Sequence, residues 1–325
     1  MRLLFGLVAL LPLVGAELEL DVISYHNLVA QDAATIQCLR TALLEKGIVG
    51  VSDIPGYKEV VEQFIQRSRE FSLLPEEEKM QCAPDRDIGD WMGYENGKEK
   101  FLRDGQWVVE DKKRSYYSHV PDTEKNRWPT RVDLKGPYQA MGLCMRNIAT
   151  KIMESVDLIG DKTGISIEGV PAVGRMLHYE KSFDTSKVNP YWCGAHFDHS
   201  MFTALIPSVY FVNGEEIDEP EEAGLFVRTG EKEFLKVRSR KDIMMFQVGE
   251  FAQLVTNDAI RATEHRVHKA DGVIERYTMA LFLHPSDDTM IYSQSVLVQD
   301  PRYGTESGCA YGDWCTRTID RFRNK

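Results

Sequence analysis

The chain carries two potential metal ligands two residues apart, His196-Phe197-Asp198, and a third, His265, far along the sequence. Two imidazoles and one carboxylate on one face of a divalent metal leave the opposite face open to other ligands. That donor set suits a non-haem Fe(II) centre that works with dioxygen. On a strand, residues two apart project from the same face. The spacing therefore predicts a strand from His196 to Leu205 that presents both ligands together, with His265 on a distant strand. Arg276-Tyr277-Thr278 repeats the spacing and can offer a guanidinium and a hydroxyl to one carboxylate. His199 and His268 are the rival ligands, and on strands each falls on the opposite face from its neighbour in the set. The motifs contain no cysteine, which weakens a structural zinc reading, although zinc or nickel could still occupy such a site.

The surrounding residues extend the pattern. Ala195-His-Phe-Asp-His-Ser-Met-Phe-Thr203, Gly249-Glu-Phe-Ala-Gln253, Thr263-Glu-His265-Arg-Val267 and Arg276-Tyr-Thr278-Met-Ala-Leu-Phe282-Leu-His-Pro285 follow one another in order. Upstream stand Ala42-Leu-Leu-Glu-Lys-Gly47-Ile-Val-Gly50, Phe71-Ser-Leu-Leu-Pro75 and Asn126-Arg-Trp128-Pro129. Together, from about Leu20 to Pro285, these segments resemble the isopenicillin N synthase-like branch of the 2-oxoglutarate/Fe(II) dioxygenases. The resemblance implies Fe(II) held by His196, Asp198 and His265, and 2-oxoglutarate held by Arg276, Thr278 and Tyr179. It also implies oxidation, chiefly hydroxylation, of a small-molecule substrate by O2, with succinate and CO2 as co-products. Leu177 stands where the family often has Asn, and Glu250 where it has Asp. Trp91, Tyr94, Arg103 and Arg114 are candidates for the substrate rim. A 2-oxoglutarate-independent oxidase of the isopenicillin N synthase type shares an Arg-x-Ser motif and is one alternative. A catalytically silent ligand-binding relative is the other.

Composition fits an ordinary globular chain of 325 residues, with 43% hydrophobic and 27% charged residues. The formal net charge of −11 argues against nucleic-acid and anionic-membrane surfaces. Met1-Arg2, an apolar run from Leu3 to Val14, and Gly15-Ala16 before Glu17 read as a signal peptide over residues 1–16. The run is too short to span a bilayer, so the mature chain is expected in the secretory pathway or outside the cell, with no stable membrane insertion. A buried N-terminal strand in a cytoplasmic protein is the alternative. Six cysteines are too few for a disulfide scaffold, but Cys309 and Cys315 could bridge in an oxidising compartment. Six free thiols are equally compatible.

Positioning the ligands requires a particular order of elements. Apolar residues at helical spacing predict helices over 31–47, 57–71 and 136–159, with a strand over 48–51. From residue 171 the pattern becomes short strands over 173–179, 196–205, 224–228, 242–248, 262–268 and 276–283. Asn213 to Glu222 reads as a surface loop. The chain is expected to be mainly β with α: a double-stranded β-helix, or jelly roll, with N-terminal helices packed outside. No linker divides it, so 17–325 reads as one domain. Its helical part is 17–170, its jelly-roll core 171–290, and its C-terminal tail 291–325.

Overall fold

The computed structural model describes residues 17–97, 99–103, 106–109, 112–181, 190–230, 233–238, 240–304 and 308–322. The expectation for residues 1–16 lies outside them. Helix α1 (Ala33–Glu45) starts at Asp32, whose carboxylate accepts the Thr35 N–H at 2.9 Å. It ends before Gly47, which holds φ +70° and lies so close to Thr263 that a Cβ would meet that hydroxyl at 2.4 Å. The chain then enters strand β1 (Ile48–Ser52) and helix α2 (Tyr57–Ser72). Pro75 does more than interrupt this helix, because it caps a further short helix, Glu76–Met80. Strand β2 (Lys113–Val120) precedes the long helix α3 (Lys135–Ser155). The stripe Tyr138, Met141, Met145, Ile148 and Ile152 on α3 is buried and joins the main core, together with Phe64 and Phe71 of α2.

The second half supplies the strands of the barrel: β3 (Ala172–Tyr179), β4 (Tyr191–His196), β5 (Phe202–Leu205), β6 (Gly224–Arg228), β7 (Phe234–Val237), β8 (Met244–Val248), β9 (Glu264–His268) and β10 (Glu275–Leu283). β1, β8, β5, β10, β3 and β2 are neighbours in that order in the larger sheet. The smaller sheet runs β7, β6, β9, β4. From β3 to β10 these strands pass back and forth between the two sheets, apart from the β6–β7 hairpin, which stays in the smaller one. This is the double-stranded β-helix, with the helices against the outer face of the larger sheet. The predicted surface loop near Asn213 contains a small hairpin instead. Val209–Val212 pairs with Glu215–Ile217 around Asn213-Gly214, both at positive φ. An Asn-Gly pair between strand-like residues is the usual signal for such a turn.

The predicted strand over 196–205 is broken. β4 ends at His196, β5 begins at Phe202, and Asp198 lies in the connection. This connection is strapped to the helix α4 (Glu250–Val255) by backbone hydrogen bonds. Glu250 N–H donates to Asp198 O at 2.7 Å, Gly249 N–H to Met201 O at 3.1 Å and Phe251 N–H to Ser200 O at 3.2 Å. Those partners replace a strand ladder, so the segment has no need to extend as one. The approach leaves no space at Gly249, where a Cβ would lie 2.0 Å from the Ser200 carbonyl oxygen. Gly249→Ala is therefore expected to cost about 1–3 kcal/mol of stability. It should also weaken metal binding by shifting Asp198. Thermal unfolding with and without Fe(II) reads both effects, and an unchanged melting temperature would contradict this account.

Candidate metal centre and adjoining cavities

The register of the smaller sheet sets His265 of β9 directly opposite His196 of β4, with ring centroids 4.2 Å apart. The Nε2 atom of each histidine lies 3.8 Å from Asp198 Oδ1. One ligand atom from each of the three residues falls within 4.8 Å of the others. His196 Nδ1 faces Gly194 O at 2.8 Å and His265 Nδ1 faces Thr263 O at 3.0 Å. These carbonyls accept the Nδ1 protons, which turns both Nε2 atoms toward the common space. His268 instead stacks on Phe226 at 3.7 Å, and His199 packs against Trp314 at 6.4 Å.

Gln247, buried on β8, donates from Nε2 to Asp198 Oδ2 at 2.6 Å. It fixes the carboxylate that the loop delivers. Burial would raise the Asp198 carboxyl, but His265, His196 and hydrogen bonds from Thr203 and Gln247 hold it below its ordinary range. Burial and then His196 push His265 down to about 4. Burial opposes the charged form of His196 too, yet Cys193 and Asp198 raise it to about 9. His265 is therefore the neutral ring, and His196 must yield a proton to a metal.

A narrow cavity leads from this cluster to Arg276, between the inner faces of the two sheets. Arg276 is only 5% exposed, and among the described residues neither its Nε nor its Nη1 has a hydrogen-bond partner. A buried guanidinium with two unmet donors fits a carboxylate that binds there. Tyr179 lies across the ladder from Arg276, its ring 4.8 Å from the guanidinium carbon. Thr278 lines the same cavity, but its hydroxyl donates to Ile206 O at 2.9 Å. A carboxylate would meet that hydroxyl as a donor only after the proton turned.

On the other side of the cluster opens a cavity of about 670 Å³. Trp91 lines it, 38% exposed, with the Arg86 guanidinium over its ring at 3.8 Å. Two other rim candidates do not reach it. Lys113, Tyr117 and His119 of β2 face the cavity, so Arg114 faces away and pairs with Glu180 at 2.7 Å. Tyr94 sits opposite Tyr116 on that far face, is 2% exposed, and packs on Phe71 while its hydroxyl meets Glu76. The Arg103 side chain lies outside the described residues.

With this geometry in place, comparison with known proteins is informative. Residues 173–285 match the family model of the 2OG-Fe(II) oxygenase superfamily, and residues 20–139 match that of the non-haem dioxygenase in morphine synthesis N-terminal region. The chain belongs to the 2OG-Fe(II) oxygenase superfamily. A 2-oxoglutarate-Fe(II) type oxidoreductase of Metarhizium rileyi is 26% identical over 85% of this chain and 82% of its own length. A proline hydroxylase of Petromyces alliaceus is 24% identical over 82% and 86%. Among solved structures, a putative 2OG-Fe(II) oxygenase family protein from Caulobacter crescentus superposes with a TM-score of 0.71 at 20% identity, covering 93% of this chain and 98% of that one. A rice dioxygenase for auxin oxidation gives 0.66 at 20% identity, covering 94% and 100%. This chain is accordingly a dioxygenase that uses Fe(II), 2-oxoglutarate and O2 on a small-molecule substrate.

The C-terminal tail walls the large cavity, and does so as a helix that the sequence pattern did not locate. Helix α5 (Tyr311–Phe322) borders the large cavity with Tyr311, Cys315 and Ile319. Cys309 and Cys315 are free thiols in this structure and not a bridge. Cys309 belongs to a short strand pair with Ile291, and Cys315 faces the cavity from the helix, so the two serve different elements. The helix is docked through Glu250. Arg302 Nη1 and Nη2 each donate to one Glu250 oxygen at 2.8 Å, and both residues are buried. The longer Glu in place of Asp thus has a partner in the tail. Arg302→Ala would strand a buried carboxylate and is expected to cost about 3–5 kcal/mol. Replacing both residues, as in Glu250→Leu with Arg302→Met, should recover most of that loss. Urea unfolding of the single and double variants tests this, and a double variant no better than the single would refute it.

Proposed function

We propose that His196, Asp198 and His265 bind the Fe(II) of this oxygenase. Arg276 binds the distal carboxylate of 2-oxoglutarate, with Tyr179 and Thr278 beside it, and the reaction is hydroxylation of an unactivated C–H bond. One observation carries the assignment: the unmet Nε and Nη1 donors of buried Arg276 lie in a cavity that runs to the three-residue cluster. When bound, the iron and 2-oxoglutarate supply the oxidant by oxidative decarboxylation, which yields succinate and CO2. The remaining work belongs to the chain. Gln247 holds Asp198, the Gly194 and Thr263 carbonyls orient the imidazoles, and Arg276 fixes one end of the cosubstrate. Core strands close the 2-oxoglutarate side from bulk water, and the large cavity leaves the other side for substrate. Hydroxylation is supported by the likeness to the Petromyces alliaceus proline hydroxylase.

Arg276→Ala is expected to weaken 2-oxoglutarate binding by about 2–5 kcal/mol while metal binding changes little. Calorimetric titration of each ligand separates the two. Oxygen uptake must also depend on added 2-oxoglutarate, with succinate formed. Uptake of O2 at full rate without 2-oxoglutarate would instead indicate an oxidase.

We further propose that residues 1–16 direct export and are removed. The reading is supported by the basic end, the apolar run and the small residues before Glu17. The first described strand, Glu17–Leu18, pairs in parallel with β7 and could begin a mature chain. N-terminal sequencing of protein from its source should find Glu17 or a near neighbour first. An intact Met1 would exclude this.

A further inference from the structure

The narrow cavity is closed, at the end away from the metal cluster, by an acid from the segment that follows the small hairpin. Strand β10 lays Phe282, Ala280, Thr278 and Arg276 along this cavity in turn. Phe282 stands at the cluster end, since it also lines the large cavity together with His196 and Asp198. Arg276 therefore marks the far end, and Glu219 lines the cavity there. Tyr210 ties the two together. It lies directly across the ladder from Arg276, and its hydroxyl donates to Glu219 Oε2 at 3.0 Å.

Glu219 is turned to other partners than Arg276. Its second oxygen, Oε1, lies 3.4 Å from Lys236 Nζ, and among the described residues no ion pair joins it to the guanidinium. Lys236 is itself anchored, donating to Pro220 O at 3.0 Å and Glu221 O at 2.8 Å. The Glu219 and Lys236 side chains are withdrawn from water, at 16% and 13% exposure. Gly224 leaves room for the acid, because a Cβ there would lie 2.9 Å from the Glu219 carboxyl carbon. Burial raises the Glu219 carboxyl, while Lys236 and the Tyr210 hydroxyl restrain the rise. The carboxylate is thus a fixed part of the wall, held by a hydroxyl and an ammonium and drawn back from Arg276. A ligand carboxylate that meets Arg276 Nε and Nη1 fits short of it. A ligand one methylene longer would have to put its carboxylate where Glu219 already stands, in a buried space that screens two like charges poorly.

We propose that Glu219 sets the length of the 2-oxo acid that this chain accepts. Its side chain fills the seat that the distal carboxylate of 2-oxoadipate would need, so 2-oxoglutarate is taken and the acid one methylene longer is refused. The inference rests on the proposed assignment of 2-oxoglutarate to Arg276 and adds the residue that decides between chain lengths. Removing the Glu219 carboxylate frees the Tyr210 hydroxyl and the Lys236 ammonium, and these are the partners a longer acid requires.

Calorimetric titration of 2-oxoglutarate and of 2-oxoadipate into the full chain loaded with Fe(II), without oxygen, tests the proposal. The wild-type chain should bind 2-oxoglutarate roughly tenfold or more tightly than 2-oxoadipate, and Glu219→Ala should lower that ratio by roughly tenfold, the effect of one charge-assisted hydrogen bond. Glu219→Asp keeps the charge but retreats by one methylene, so it should lower the ratio by a smaller factor. A purely structural role would weaken both acids alike and leave the ratio where it was. If Glu219→Ala does not fold, Glu219→Asp decides. The proposal is overturned if the wild-type chain binds both acids equally, or if the deciding variant leaves the ratio unchanged. Binding of 2-oxoglutarate that Arg276→Ala leaves intact overturns the cosubstrate assignment. Binding that needs Arg276, with a ratio indifferent to Glu219, overturns this inference alone.

Discussion

Opposite one another in the smaller sheet, His196 and His265 hold their rings 4.2 Å apart, and the rest of the site is arranged around that register. A slip of one residue in either strand would turn an imidazole to the wrong face and present Arg266 or Ala195 in its place. The register is secured by what the same strands bury. Val267 packs with Trp192 and Tyr210 on one side of the cluster, while Val227 of neighbouring β6 packs with Ile243 and Met245 on the other. Packing of apolar side chains outside the cluster therefore decides where its two imidazoles stand.

The third ligand depends on a different kind of support. Asp198 hangs in a connection whose backbone is bonded to the first turn of α4, and the side chain of that turn's Glu250 runs on to Arg302. One residue thus links the loop that carries Asp198, through its N–H, to the segment that walls the large cavity, through its carboxylate. The pairing is bidentate and buried, so the tail is fixed in position and angle and not merely attached. The neighbouring Asp300 reinforces the arrangement: burial would raise its carboxyl, but Arg321 and Arg302 hold it at about 2.

Much of this was legible from residue types. The two-residue spacing and the order of His, Asp, His and Arg define a donor set, and helical or alternating periodicity locates most of the elements around it. The failures have physical causes. The i, i+2 rule for Asp198 presumes a strand, and backbone bonds to α4 made a strand unnecessary. Arg114 and Tyr94 resemble rim residues by type alone, but the alternation of β2 turns Lys113 to the cavity and Arg114 away. Gln247 reads as an ordinary strand residue, and only tertiary packing brings it to Asp198. The tail helix carries its cavity-facing and buried residues at Tyr311, Trp314, Cys315 and Thr318, a helical spacing that two glycines and two cysteines obscured.

Strand β10 is nearly the last piece of the jelly roll to be synthesised, yet it lies in the middle of the larger sheet. It pairs with β3 on one side and β5 on the other, partners that precede it by about a hundred residues and by some seventy. Until it emerges from the ribosome, β3 and β5 each present an unpaired edge, and the core beneath α3 has no floor at Met279 and Leu281. Assembly of this barrel therefore waits on the synthesis of β10, and its rate is governed by closing long loops. A nascent chain held at that stage is the form most in need of a chaperone.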